Sequence, residues 1–288
     1  MKFTQALLLT IYGLLLISCQ QKFSVPPVSK EPTNVYTPGR FVWHDLVTPD
    51  VEQSKKFYGE VFGWSFESIG SGEKLYTIIK KDNENIGGIF PIPTNSKVKA
   101  GEWVASLSVS NINDAVNQTV LSGGKVLRGI QELNGRGKTA LVSDPQGGIL
   151  AYIKADGGDP VQKSPGFNEW LGMELWTNNM EASKEFYRFL VGYETEDRKD
   201  DKVSFTAFTK NGKIYAALLK NPTPEVRTHW MPYIRVENVI TMVEKAKAAG
   251  ATVLLAPSAA VRNSTVAIIL DPTRAPLVLQ EFTPTAQN

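Results

Sequence analysis

Apolar and polar positions along the chain change period in a fixed order, and that order occurs four times. Residues 41–48 mix β-prone apolar and polar positions and predict a strand. Behind them Val51, Ser54, Phe57, Tyr58, Val61 and Phe62 recur at helical spacing and form one apolar stripe. Asp50 suits the N-cap of that helix, with Gln53 at the capping-box position, and Gly63 suits its end. Short strands are predicted at 64–68, 75–81 and 86–91. The series then starts again with a strand at 103–109, a helix at 112–122 closed by Gly123 and Gly124, and strands at 126–131, 139–143 and 149–154. The unit is βαβββ, and it occurs twice before residue 156.

The second half of the chain repeats the first. Residues 45–58 align without gaps to 174–187, ending in Phe57-Tyr58 and Phe186-Tyr187. Further anchors keep their order: Gly63 with Gly192, Trp103 with Trp230, Asn111 with Asn238, Gly123 with Gly250, and Asp144-Pro145 with Asp271-Pro272. The expected architecture is α+β, with tandem βαβββ units in two modules at 40–156 and 165–284. The turn-rich residues 156–160 suit a linker between them.

The N-terminus has a different pattern. Lys2 precedes an apolar run over residues 6–17, too short to span a bilayer comfortably but of signal-peptide length. It ends in Leu16-Ile17-Ser18-Cys19, which resembles the bacterial lipobox. That resemblance implies a signal peptide at 1–18 and a diacylglyceryl group on the Cys19 thiol. Residues 19–39, with Pro26, Pro27, Pro32 and Pro38, are then expected to be a semi-extended tether. Gln20, where an Asp would resemble a retention signal, points to the periplasmic side of the outer membrane if the organism is Gram-negative. Cys19 is the single cysteine, so no intrachain disulfide can form.

A net charge of +2, with basic and acidic residues interleaved as in Lys199-Asp200-Asp201-Lys202, gives no stripe suited to nucleic acid. The expected partners are a small-molecule ligand and a membrane reached through the lipid. The two modules could pair within one chain or across a homodimer.

A strand, a Pro-Asp turn, a helix bearing Phe57-Tyr58 and then Phe62-Gly63-Trp64 resembles the opening of a vicinal oxygen chelate module, the glyoxalase/bleomycin-resistance/dioxygenase superfamily. Asp144-Pro145-Gln146-Gly147-Gly148 resembles that family's turn before the last strand. The resemblance covers residues 40 to 283 and implies that paired βαβββ units curl into a cup with the site on its concave face. It also implies where a divalent metal would be held. Those positions carry Trp43, Val104 and Ala151 in the first half, and Gly172, Met231 and Val278 in the second. None is a ligand for such an ion, so no cofactor is expected, and a metal only at an atypical site.

Alternation along the first strand of each module places Asp45 and Glu174 on the same face as the ligand position. A carboxylate in an apolar cup is a candidate general acid or base, or else an anchor for groups across the sheet. His44, next to Trp43, is expected on the opposite face unless a bulge reverses it, and His229 is expected at the mouth of the second cup. Trp43, Trp103, Trp176 and Trp230 are candidate ligand-binding walls or core residues. Gly135-Arg136-Gly137-Lys138 lacks the strand-to-helix setting of a phosphate loop and is expected to be a hairpin. Three functions remain open: a metal-free binder of a small aromatic or apolar molecule, an enzyme of the glyoxalase or dioxygenase type with an unusual site, and an envelope scaffold.

Overall fold

A computed structural model of the chain describes residues 24–283 except 94, 95, 97, 201 and 202. The expected signal peptide and the expected lipidation site at Cys19 lie outside the described residues. In the first module β1 (Phe41–Thr48) leads to α1 (Val51–Phe62), then β2 (Ser65–Ile69), β3 (Tyr76–Lys81) and β4 (Glu84–Pro91). The second unit is β5 (Glu102–Ser108), α2 (Ile112–Leu121), β6 (Lys125–Leu133), β7 (Gly137–Ser143) and β8 (Ile149–Ala155). The second module repeats this order. Its first unit is β9 (Trp170–Thr177), α3 (Met180–Val191), β10 (Glu194–Asp200), β11 (Val203–Lys210) and β12 (Lys213–Lys220). Its second is β13 (His229–Val236), α4 (Val239–Ala248), β14 (Thr252–Leu255), β15 (Val266–Leu270) and β16 (Pro276–Glu281). The tandem βαβββ architecture is the one the pattern predicts.

Each module is one eight-stranded mixed sheet, in the orders β2-β3-β4-β1-β5-β8-β7-β6 and β10-β11-β12-β9-β13-β16-β15-β14. The opening strand of each unit runs parallel to the closing one and antiparallel to the opening strand of its sister unit, as β1 does with β4 and β5. The helix starts are built as their sequences suggest. Asp50 Oδ1 accepts the Gln53 N–H at 2.9 Å, and Asn179, Asn111 and Asn238 cap the other three helices. Gly63 and Gly192 close α1 and α3 at φ of 70° and 73°, where a side chain would be strained.

The stripes that α1 and α3 bury do not close over their own sheets alone. One core cluster joins Phe57, Tyr58 and Trp103 of the first module to Ile234, Val243 and Leu277 of the second. The other joins Leu107 and Tyr152 to Phe186, Tyr187 and Trp230. The two modules therefore share a core on the helix-bearing side of both sheets, and each sheet keeps its other, concave face apart.

A pseudo-twofold relation governs the junction. Trp64 Nε1 of the first module donates to the Asn168 carbonyl, and Tyr193 O–H of the second donates to the Gly39 carbonyl. Repeat-equivalent residues thus reach equivalent backbone in opposite modules.

Residues 24–39, expected to be a tether, instead pack on the first module. Val25 N–H donates to the Asn134 carbonyl at 3.0 Å, and Val25 and Val28 are 2% and 5% exposed. Further along, Asn34 N–H reaches the Gly157 carbonyl at 2.8 Å, and Thr37 N–H reaches Asp159 Oδ2 at 2.6 Å. The expected linker around 156–160 is thereby fastened by this strap. The prolines stiffen the segment, but its two valines have an apolar face to bury in, and burial outweighs the freedom of a tether.

Candidate functional site

Strand register fixes which side chains share each concave face. On β1 a bulge falls between Phe41 and Trp43, after which Asp45 stands opposite Val104 and Leu46 opposite Trp103. Trp43 and Asp45 therefore face the first cup, while His44, Leu46 and Trp103 face the helix layer. The second module repeats this with a bulge near Tyr233 and Ile234: Glu174 stands opposite Met231, and Trp230 opposite Leu175.

Two of the expected walls are thereby corrected. Trp103 and Trp230 do not line the cups. Each lies in the core between modules, donating its indole N–H at 2.9 Å to Tyr58 and to Tyr187 respectively. One residue of parity separates them from the cup positions Val104 and Met231. The bulge on β1 lies upstream of His44 and does not reverse it. The His44 ring stacks on Trp170 of the second module at 4.2 Å, burial pushes its pKa down to about 3, and its Nε2 has no hydrogen-bond partner among the described residues.

The first cup is filled. Trp43 Nε1 and Tyr76 O–H both donate to Asp45 Oδ1, at 3.0 and 2.8 Å, and Arg136 Nη1 lies 3.5 Å from Asp45 Oδ2. The Arg136 guanidinium stacks over the Trp43 ring at 4.3 Å and donates to Tyr76 Oη at 2.8 Å and to the Pro26 carbonyl at 3.0 Å. Burial raises the Asp45 pKa, opposed by Arg136, Tyr76 and Trp43. Val28 packs with Trp43 and Ile153, and Val25 with Tyr76 and Ile78, so the strap closes the mouth. Arg136 is 1% exposed and Trp43 is 1% exposed.

The second cup has the same floor and a different filling. Trp176 Nε1 and Tyr233 O–H donate to Glu174 Oε2, the former at 2.8 Å, and Arg262 Nη2 lies 3.3 Å from Oε1. Arg262 Nη1 also reaches Gln280 Oε1 at 3.2 Å. Arg262 comes from the loop between β14 and β15, as Arg136 comes from the turn between β6 and β7. In that loop Arg262, Asn263 and Ser264 all have positive φ, at 44°, 48° and 65°. A left-handed run of three residues other than glycine is strained, and it delivers Arg262 to Glu174.

The place of Trp43 is taken here by Gly172, where an added Cβ would meet nothing within 4 Å. Among the described residues no strap crosses this mouth. Leu171, Trp176, Val261, Ile268 and Gln280 are half-buried, although Glu174 is 3% exposed. His229 pairs with Trp176 across the strands, on the concave face near the rim, with its Nδ1 2.8 Å from the Arg227 carbonyl. Burial lowers its pKa.

The donor set does not fit a divalent metal in either cup. The positions the family resemblance implies share the concave faces but carry Trp43, Val104 and Ala151, or Gly172, Met231 and Val278. Among the described residues the carboxylate at the centre of each cup is already paired with a guanidinium, and no group of three His, Cys, Asp or Glu side chains converges. The sequence reading missed Tyr76 and Tyr233, and it missed the two arginines. Neither carries periodic or motif information beyond lying in a turn.

Comparison with known proteins agrees with this fold. Residues 171–278 match the family model of the Glyoxalase/Bleomycin resistance protein/Dioxygenase superfamily, and residues 40–74 match that of the Bleomycin resistance protein-like N-terminal family. The Mycobacterium bovis (strain ATCC BAA-935 / AF2122/97) protein named "Putative glyoxylase CFP32" is 25% identical over 243 residues, covering 82% of this chain and 92% of its own length. The anthracycline biosynthesis protein DnrV of Streptomyces peucetius is 24% identical over 253 residues, covering 82% and 91%. The Mn(II)-bound glyoxalase from Novosphingobium aromaticivorans superposes with a TM-score of 0.57 at 13% identity, covering 87% of this chain and 86% of that one, a likeness of fold alone. Residues 171–278 thus form a module of the glyoxalase/bleomycin resistance protein/dioxygenase superfamily. The two modules together have the paired βαβββ fold of the glyoxalase and dioxygenase structures.

Proposed function

We propose that this protein binds a small aromatic or apolar molecule in its second cup without a metal ion, and that the first cup is a closed, structural copy of the same site. One observation carries this reading. Gly172 opens the second cup beside the Glu174–Arg262 pair, whereas Trp43 and residues 25–28 fill the first. Concave apolar walls around a few placed polar groups are the usual form of a small-molecule site. Native mass spectrometry of protein purified without chelators, with elemental analysis of the same sample, tests it. The expected result is an organic passenger released on denaturation and no stoichiometric transition metal; a stoichiometric metal would overturn it.

The relative named a glyoxylase favours a second reading, an enzyme in which Glu174 moves a proton. Conversion of the released passenger by the protein, stopped by Glu174→Gln, would move that reading to first place.

We also propose that Cys19 carries a lipid at the cell envelope, on the periplasmic side of the outer membrane if the organism is Gram-negative. At roughly 3.3–3.6 Å per residue, the five steps from Cys19 to Ser24 reach no more than about 18 Å, so the body sits close to the membrane. Labelling with radioactive palmitate, lost in Cys19→Ser, is the expected outcome, and an unlabelled wild-type protein would sink the proposal.

A further inference from the structure

Ser24 is fixed at one end of the first module, a few residues after Cys19. It bridges to Asn134 at the hairpin between β6 and β7, and its hydroxyl donates to the Asn134 carbonyl at 2.9 Å. From that hairpin a run of contacts crosses the end of the sheet. Gly137 pairs with Ala155, and the Asp156 N–H donates to the Arg136 carbonyl at 2.9 Å. The Gly157 carbonyl then accepts the Asn34 N–H at 2.8 Å, and the Val35 carbonyl accepts the Asp159 N–H at 2.7 Å. Val35, Tyr36 and residues 156–161 therefore share one end of the module with Ser24.

That end presents apolar side chains to solvent. Val35 is 61% exposed and Val161 is 78% exposed. The exposed Tyr36 ring lies under the Lys154 ammonium at 3.2 Å. A tyrosine with a cation beside it suits headgroup level, where one part of the pair is apolar and the other wet. Neighbouring charges cancel, with Lys30, Lys138 and Lys154 set against Glu31, Glu132 and Asp156, so neither a neutral nor an anionic surface is repelled. Single exposed apolar residues are common on any protein surface, and what sets these three apart is their place. Leu121, 80% exposed, stands at the far end of β6, and the exposed Leu254 belongs to the second module.

We propose that this end of the first module rests on the lipid bilayer, with Val35, Tyr36 and Val161 at the depth of the headgroups. The inference rests on the lipid proposed at Cys19 and adds the orientation of the body. A reach of about 18 Å from Cys19 to Ser24 keeps that end against the membrane. Anchoring also makes a small apolar contact effective, because a tethered surface meets the bilayer at high effective concentration. The strap then has two tasks: Val25 and Val28 close the first cup, and Val35 and Tyr36 face the lipid.

Nitroxide labels on the full lipidated chain, in vesicles of phosphatidylethanolamine and phosphatidylglycerol, test this. Cys19 is the single cysteine and the lipid consumes its thiol, so Val35→Cys and Val161→Cys each offer one site for the label, as do Leu121→Cys and Leu254→Cys for comparison. All four positions are exposed, so the substitutions leave the core intact. Oxygen concentrates in the bilayer and a nickel chelate stays in water. The expected ratio of oxygen to nickel contact is at least threefold higher at Val35 and Val161 than at Leu121 and Leu254. Equal ratios at all four positions would overturn the orientation and leave the lipid reading standing. A higher ratio at Leu121 or Leu254 would place another face on the membrane and overturn it equally. A chain without lipid would keep a reactive thiol at Cys19 and take two labels, visible by mass spectrometry, and that result would overturn both readings.

Discussion

Tyr58 of the first module donates its phenol O–H to Asp271 of the second at 2.9 Å, and the repeat-equivalent Tyr187 donates to Asp144 at 3.2 Å in the opposite sense. Each aspartate divides its work. Asp271 Oδ1 holds its own turn through Thr273 and Ala275, and Oδ2 reaches across the junction. Each tyrosine also accepts an indole N–H, from Trp103 or Trp230. Tyr58→Phe removes a buried donor and acceptor together and strands two partners, so it should destabilise the protein by roughly 1–3 kcal/mol. Tyr187→Phe should do likewise. Urea unfolding of both single variants and the double variant checks this, and a loss below about 0.5 kcal/mol in both single variants would show that the swap does not hold the modules.

The same aspartates set a pH dependence. Burial raises the pKa of Asp271 and Asp144 above 3.8, against the hydrogen bonds that lower it. A carboxyl whose folded pKa lies above its unfolded value contributes stability that is full below the unfolded pKa and is lost as pH rises through the folded one. Asp271→Asn escapes that loss. Its stability relative to wild type should therefore improve as pH rises from 4 towards 7. Thermal melts of both proteins across that range check it, and a difference independent of pH would refute the assignment.

His44 acts in the opposite direction. Its folded pKa of about 3 lies below the unfolded 6.5, so its contribution is present above 6.5 and is lost as pH falls towards 3. The loss amounts to roughly 1 kcal/mol for each pH unit in that window. His44→Phe keeps a ring against Trp170 and removes a buried nitrogen without a hydrogen-bond partner among the described residues. It should equal or exceed wild type at pH 7 and lower the midpoint of acid unfolding. An unchanged acid midpoint would show that the histidine is not buried as described.

Much of this architecture is legible in the sequence. Period changes give the four βαβββ units, the repeat gives the modules, and strand parity puts Asp45 and Glu174 on the concave faces. Tyr58, Tyr187, Asp144 and Asp271 all stand at repeated positions, yet their pairing is not legible, because an alignment gives equivalents and a swapped contact joins residues that are not equivalent. Trp103 and Trp230 sit one residue of register away from the cup, an offset that a strand's sequence cannot fix when both of its faces are covered. The arginines are hidden for another reason. Arg136 lies in a turn and Arg262 in a left-handed run, and neither conformation leaves a period to read. The strap is the closest miss, since Val25 and Val28 flank the two prolines that suggest a tether.

Arg136 gives the sharpest test of the closed cup. It is 1% exposed, pairs with Asp45, covers Trp43 and ties the strap at Pro26. Arg136→Met keeps much of the volume but leaves Asp45 buried without its counter-charge, a change that destabilises by roughly 3–5 kcal/mol in comparable buried pairs. Asp45→Asn added to it removes the stranded charge and should recover a large part of the loss. The strap should respond separately. With its tie to Pro26 gone, the amide of Val25, bonded to Asn134 in the wild type, should exchange hydrogen faster in both variants, including the stability-restored double variant. Hydrogen exchange of that amide alongside urea unfolding distinguishes the two effects. Full protection of Val25 in the double variant would mean that the two valines alone hold the strap in the cup, and that Arg136 serves only the carboxylate beneath it.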